Sequence, residues 1–199
     1  MGNKKTGGAI LAAGFSKRFI GKKLRTYLGE KPLLQWIIDV VSESCVESSV
    51  IIINDTFSKD KFDNKKLDII INEKPQKGIS RSVFLALNWA LKNKIDGLFL
   101  TTGDMPFIKP EDFEFLIEKS EYYRDNVLSC SYKGTKGFPT FIPEKYFYLM
   151  NDLEGDRGFS QIIKKYKLPH KMIERTWRNI FDIDTQKDFE KAKELLKYV

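Results

Sequence analysis

With 199 residues, 42% of them hydrophobic and 13% aromatic, the chain can bury one sizeable α/β core and is too short for several domains. No apolar run reaches the ~18 residues of a membrane-crossing helix, and the polar start Met1–Thr6 lacks a secretory signal, so a cytoplasmic protein with no membrane partner is expected. The net charge of +7 suits either a polyanionic partner or a plain Lys- and Glu-rich surface; the lysines are scattered, with no aromatic-interleaved basic stretch, so nucleic acid is not expected.

In chain order, Gly7–Ala13 is a short apolar run closed by a glycine, which predicts a buried strand. A basic loop, Gly14–Lys23, follows. Pro32 marks a helix start, with Leu33, Leu34, Ile37, Ile38, Val41 and Cys45 recurring at helical spacing. Cys45 and Cys130 lie far apart, outside any C-x-x-C spacing, and read as reduced core thiols. Val50–Ile53 and Leu67–Ile71 predict two more strands. Ile79–Lys92 predicts a helix with Val83, Phe84, Leu87 and Leu91 on one face. Leu98–Thr102 predicts a strand ending at Gly103-Asp104, and Pro110 opens a helix through about Tyr122. Val127–Tyr132 and Thr140–Ile142 read as strands. Gly155–Tyr166 holds a helix, Lys171–Glu174 a short strand, and Ile180–Ile183 a last strand before a helix over Thr185–Tyr198. Strands alternating with helices predict an α/β fold with a doubly wound, mostly parallel sheet, as one domain over residues 1–199. Ligands of such sheets bind beyond the carboxyl ends of the strands. The loops after the first, fourth and last strands therefore carry most weight.

The first of these loops reads Leu11-Ala12-Ala13-Gly14-Phe15-Ser16-Lys17-Arg18. Small residues at 12 to 14 let the backbone approach a ligand, and free N–H groups can cradle phosphate oxygens. Arg18 and Lys23 add charge without an acidic residue nearby in sequence. The alternative is a tight turn with a solvated basic loop. Neither G-x-G-x-x-G nor a Walker P-loop is present, since Gly21-Lys22 is followed by Lys23. The second loop is Thr101-Thr102-Gly103-Asp104-Met105-Pro106. A carboxylate at the end of a buried strand is costly unless paired or holding a cation. Asp104 is therefore a candidate Mg²⁺ ligand, or else it caps the following turn. The third segment, Phe181-Asp182-Ile183-Asp184-Thr185, offers Asp184 as a second metal ligand or as a helix cap, with Thr185 the competing cap. His170, the sole histidine, follows Pro169 on a polar strand edge and reads as a surface residue. Trp36, Trp89 and Trp177 read as packing residues.

L-A-A-G-x-S-x-R with Lys23, then G-D-M-P, then D-I-D-T-x-x-D-F, resemble the nucleotidyltransferases of molybdenum cofactor synthesis, and the cytidylyltransferase branch in particular. The resemblance runs from about residue 7 to 196. It includes Gly78-Ile79-Ser80-Arg81-Ser82, Gly137-Phe138-Pro139 and the segment Gly155-Asp156-Arg157-Gly158. It implies a Rossmann-like, nucleotide-diphospho-sugar transferase-like fold. It also implies that Leu11, Ala12, Ala13, Gly14, Gly78, Ser80 and Ser82 hold the nucleotide, with Arg18 and Lys23 on its phosphates. Asp104 and Asp184 would hold Mg²⁺, and Gly137, Pro139, Asp156 and Arg157 would face the acceptor. The expected reaction moves CMP from CTP onto a phosphorylated pterin, molybdopterin, releasing pyrophosphate. A handover to a molybdoenzyme or its chaperone would follow. CTP is favoured because the Gly-Pro-Leu-x-Gly stretch of the guanylyltransferases is missing at Gly78–Ser82. A GTP-using guanylyltransferase, a sugar-phosphate or isoprenoid-precursor nucleotidyltransferase, and a non-catalytic nucleotide or RNA binder remain alternatives. The chain departs from the family pattern at Ile20, where a glycine is usual and Gly21 comes one place late, and at Phe138, which replaces a histidine.

Overall fold

The computed structural model describes residues 5–16, 18–55 and 67–198. The stretch read over Met1–Thr6 lies mostly outside the described residues, as does Lys17 of the basic loop. In chain order the strands are β1 (Thr6–Ala12), β2 (Tyr27–Leu28), β3 (Lys31–Pro32), β4 (Ser48–Ile53), β5 (Leu67–Ile71), β6 (Gly97–Thr102), β7 (Val127–Tyr132), β8 (Thr135–Pro143) and β9 (His170–Glu174). Seven of them form one sheet in the order β5-β4-β1-β6-β8-β7-β9, and β2 and β3 pair as a separate small hairpin. All seven residues of β1 are buried, as a central strand covered on both faces requires. β1 pairs in parallel with β4 and β6, β4 with β5, and β7 with β9. Among the described strands of this sheet, β8 alone runs antiparallel, to β6 and to β7.

β8 is much longer than the Thr140–Ile142 expected. It folds straight back on β7 through Lys133 and Gly134, both at positive φ (49° and 76°), the backbone of a two-residue hairpin turn. Ile180–Ile183 is not a strand. Trp177–Ile180 is a 3₁₀ turn, and the residues after it run outside the sheet. Local hydrogen bonds take the backbone and side chains that a ladder would have used. The Asn179 carboxamide accepts from Thr176 N (3.2 Å) and donates to the Phe138 carbonyl (3.0 Å), while Ile183 N donates to the Asp104 carbonyl (3.0 Å).

Among the described residues five α-helices cover the sheet: α1 (Leu33–Glu43), α2 (Ile79–Lys92), α3 (Pro110–Tyr122), α4 (Ser160–Lys165) and α5 (Gln186–Leu195). One core layer packs Leu34, Ile37 and Val41 of α1, Phe113 of α3 and Phe189 of α5 against one face. The other packs Val83, Ala86, Leu87 and Ala90 of α2 with Phe147 and Ile162 against the opposite face. Leu91, expected on the buried face of α2, is 38% exposed, because the true stripe steps through 83, 86, 87 and 90. Cys45, expected in the core, is exposed: α1 stops at Glu43, where Ser44 N closes on the Val40 carbonyl. Cys130 is buried, and burial pushes its thiol far above the usual range. His170 sits half-buried on β9, with Nε2 3.0 Å from the Ser129 hydroxyl, rather than on the open surface. Among the described residues no helix is long and apolar enough to cross a membrane.

Candidate active site

A cleft of about 450 Å³ opens at the carboxyl ends of β1 and β6. That volume suits a nucleotide-sized ligand. Leu11, Ala12, Ala13 and Gly14 line it where β1 ends. Two long-range hydrogen bonds fix this exit: Gly103 N donates to the Leu11 carbonyl (3.0 Å), and Asn54 Nδ2 to the Ala13 carbonyl (3.2 Å). A Cβ on Gly14 would meet nothing within 4 Å, so the backbone there faces open space. The basic loop then turns, with Phe19 N donating to the Ser16 carbonyl (2.9 Å), and Phe19 anchors it in the core edge-on to Phe189. Ile20 is 85% exposed, and Gly21, at φ 96°, supplies the left-handed residue one place late. The loop thus closes despite the departure at residue 20.

The charged part of the cleft brings together residues from three distant segments. Lys23, only 6% exposed, donates from Nζ to Asp104 Oδ2 (2.8 Å) and to the Ile183 carbonyl (2.7 Å), and lies 3.6 Å from Asp184 Oδ1. Arg18, largely exposed, pairs with Asp184 Oδ2 (2.8 Å). Both cations lack acidic neighbours in sequence, yet both are paired across the fold. Asp184 faces Lys23 and Arg18 and lines the cleft; Asp182 does neither. The Asp182 carboxyl is pushed up by partial burial and by the charges of Asp184 and Asp104. Among the described residues no group of three or more His, Cys, Asp or Glu gathers as a metal cage. Two carboxylates sharing one cation is nonetheless the donor set Mg²⁺ uses when substrate phosphates complete its shell.

The Asp184 carboxylate is left to the cleft, with Arg18 and Lys23, because Thr185, not Asp184, caps α5. Thr185 Oγ1 accepts from Asp188 N (3.2 Å), while the Asp188 carboxylate accepts from Asp184 N, Thr185 N and Thr185 Oγ1. These bonds, that of the Thr185 hydroxyl first, hold the Asp188 carboxyl below its usual range. Thr185→Ala is expected to destabilise the protein by about 1 kcal/mol, the usual worth of such a cap. The melting temperature should drop by roughly 2–4 °C. An unchanged melting curve would show that the cap does not order this segment.

Gly78, Ser82 and Asp156 reach the cleft from the α2 side. Gly78 stands at φ 82°, and a Cβ there would lie 2.3 Å from Asp156 Oδ1 and 2.6 Å from the Gly155 carbonyl group. The segment 155–158 is therefore docked on the start of α2. Ser80 is buried in that joint: its N and Oγ donate to the Gly155 carbonyl (3.1 and 2.6 Å), and Gln161 Nε2 donates to its Oγ (3.0 Å). The Ser82 hydroxyl accepts from Asn72 Nδ2 (3.1 Å). Gly137, Pro139 and Arg157 do not line the cleft. Gly137 instead lies against the 177–180 turn, and Pro139 is buried. Sequence reasoning missed the Ile183 carbonyl, a backbone group with no side-chain signature, and Asn54, whose place beside Ala13 only the β1–β4 pairing reveals.

Residues 8–171 match the family model of the MobA-like NTP transferase domain. A relative from Pyrococcus furiosus, named a probable molybdenum cofactor guanylyltransferase, is 25% identical over 200 residues, covering 96% of this chain and 97% of its own. A homologue of Mycobacterium tuberculosis Rv0371c from Mycobacterium sp. strain JC1 has the same fold, with a TM-score of 0.85 at 22% identity over 98% of each chain. The structure of Rv0371c in complex with manganese aligns with a TM-score of 0.79 at 19% identity, over 96% of this chain and 98% of that one. The matched span takes in most of the chain, including the loops after β1 and β6, and the chain belongs to the MobA-like NTP transferase family and is a nucleotidyltransferase.

Proposed function

We propose that residues 1–199 act as one domain, in the cytoplasm, transferring GMP from GTP to the terminal phosphate of molybdopterin with release of pyrophosphate. The observation that carries the transfer chemistry is the convergence of Arg18, Lys23, Asp104 and Asp184 in a cleft floored by Leu11–Gly14. For the base, the guanylyltransferase name of the Pyrococcus relative favours GTP over the CTP expected from the sequence. The serines of the Gly78–Ser82 segment do not choose between the two bases. The Ser80 hydroxyl is spent on the Gly155 carbonyl, and that of Ser82 already pairs with Asn72. Neither is an idle polar group held ready to read a base edge.

In this reading an oxygen of the acceptor phosphate attacks the α-phosphorus in line. The new P–O bond forms as the bond to the β-phosphate oxygen breaks, and pyrophosphate leaves. A phosphate monoester is already a nucleophile, so no general base is needed, in keeping with a cleft that has no histidine in its lining. Backbone N–H groups of the Ala12–Gly14 turn and the Arg18 guanidinium hold the triphosphate. Lys23 balances charge on the phosphates from its buried position. Catalysis is then positioning and charge neutralisation. Asp104 and Asp184 would hold Mg²⁺, which supplies neutralisation of the developing charge when bound. Asp156, fixed beside Gly78, stands at the edge of the cleft where an acceptor would enter.

Pyrophosphate release measured with each of the four NTPs, with and without molybdopterin, tests the proposal. Release with GTP that depends on molybdopterin is expected. A clear preference for CTP restores the cytidylyltransferase reading, and release that ignores molybdopterin removes the acceptor.

A further inference from the structure

Lys23 makes contacts that phosphate binding does not require. Its Nζ is 2.8 Å from Asp104 Oδ2, 2.7 Å from the Ile183 carbonyl and 3.6 Å from Asp184 Oδ1. The ammonium thus lies between the two carboxylates proposed to hold the metal, with a backbone carbonyl as its third contact. Those three oxygens come from β6's end and from the segment before α5, and Lys23 ties the two together. Arg18 takes the remaining oxygen of Asp184 (2.8 Å). A divalent ion approaching both carboxylates would meet a fixed positive charge within contact distance, buried where screening by water and salt is weak. A triphosphate changes that balance. It brings several negative charges and gives Arg18 and Lys23 other partners.

We propose that Lys23 is a built-in counter-cation of the Asp104–Asp184 pair, which keeps divalent metal out until nucleotide phosphates draw its charge away. Metal and nucleotide then bind with strong positive coupling. By linkage, each raises the affinity of the other by the same factor. The proposal rests on the reading of Asp104 and Asp184 as the metal pair, but not on the identity of the base or the acceptor. It also accounts for a lysine that is buried against two carboxylates when an exposed one would suffice to touch phosphate.

The test is titration of Mn²⁺ alone, followed by electron paramagnetic resonance of free Mn²⁺, on the full chain with no nucleotide added. The unsubstituted protein is expected to bind Mn²⁺ weakly. Lys23→Met removes the charge at similar volume and is expected to tighten Mn²⁺ binding at least tenfold. Lys23→Gln, which keeps a donor for the Ile183 carbonyl, should do the same and serves if the Met variant does not fold. Arg18→Gln, at an exposed side chain, should tighten binding less than either. Equal Mn²⁺ affinity in the unsubstituted protein and a folded Lys23 variant overturns the proposal. Adding Asp104→Asn to the Lys23 variant should abolish the gain. If the gain survives that change, the ion binds elsewhere, and the metal-pair reading fails along with the proposal.

Discussion

Asp104→Asn is expected to lower nucleotidyl transfer by about 100-fold or more while the protein stays folded, the usual cost of removing a group aimed at developing charge. Asp104 lies two residues beyond the end of β6, lines the cleft and pairs with Lys23 at 2.8 Å. Its backbone carbonyl, which receives Ile183 N, is untouched by the change, so the segment carrying Asp184 keeps that anchor. Asparagine retains an oxygen for the Lys23 ammonium but not the charge that attracts a divalent ion. Asp182→Asn is the matched control. It also removes a carboxylate close to Asp104 and Asp184, but one that lies outside the cleft lining. The control should retain most activity. The measurement is pyrophosphate release at saturating GTP and molybdopterin across a Mg²⁺ titration, with circular dichroism to confirm folding. Comparable losses in both variants would reduce the effect to general negative charge and detach Asp104 from the metal.

Much of this site is legible in sequence because its side chains sit at strand ends, where pattern is strongest. β5, β7, α2 and α3 fall within the expected bounds because apolar periodicity and Pro110 mark them without competition. The joining of residues 18, 23, 104 and 184 follows from the loops lying at one end of a parallel sheet. What composition and spacing could not carry is direction. A lysine beside a glycine loop looks equally fit for phosphate or carboxylate, and only the fold shows Lys23 turned onto Asp104 and the Ile183 carbonyl. Ser80, in a stretch that resembles a nucleotide segment, is turned into the joint with Gly155. Ile180–Ile183 is a short, mostly apolar run that reads as a strand, yet the capping bonds of Asn179 and the short reach from Asp104 to α5 pull it out of the ladder. Gly137-Phe138-Pro139, expected at the acceptor, lies outside the cleft lining, with Gly137 packed against the 177–180 turn.

That last difference carries the second large expectation. A Cβ at Gly137 would lie 2.0 Å from the Asn179 carbonyl oxygen, 2.7 Å from its carbon and 2.9 Å from Ile180 Cγ2. Backbone atoms cannot rotate aside as a flexible side chain can, so Gly137→Ala must push the Trp177–Ile180 turn away from β8. The turn is held there by Asn179 Nδ2 on the Phe138 carbonyl, and only two residues separate its end from Ile183. Displacement therefore passes to the Ile183 carbonyl and to Asp184, both contacts of Lys23. Overpacking of this kind costs about 1–3 kcal/mol, and a clash with backbone belongs at the upper end. At roughly 2–4 °C per kcal/mol, the melting temperature should drop by about 6–12 °C. Transfer should slow by about 100-fold even in the folded fraction, as misplacing a catalytic group by about 1 Å does. Thermal unfolding and turnover, the latter measured well below the lowered melting temperature, check the two effects separately. A stable but slow variant supports the route from β8 through Asn179 to Asp184. A variant that melts early yet turns over at the normal rate would show that Gly137 serves packing alone, and that the Asp184 side of the site is held by α5 and its Thr185 cap.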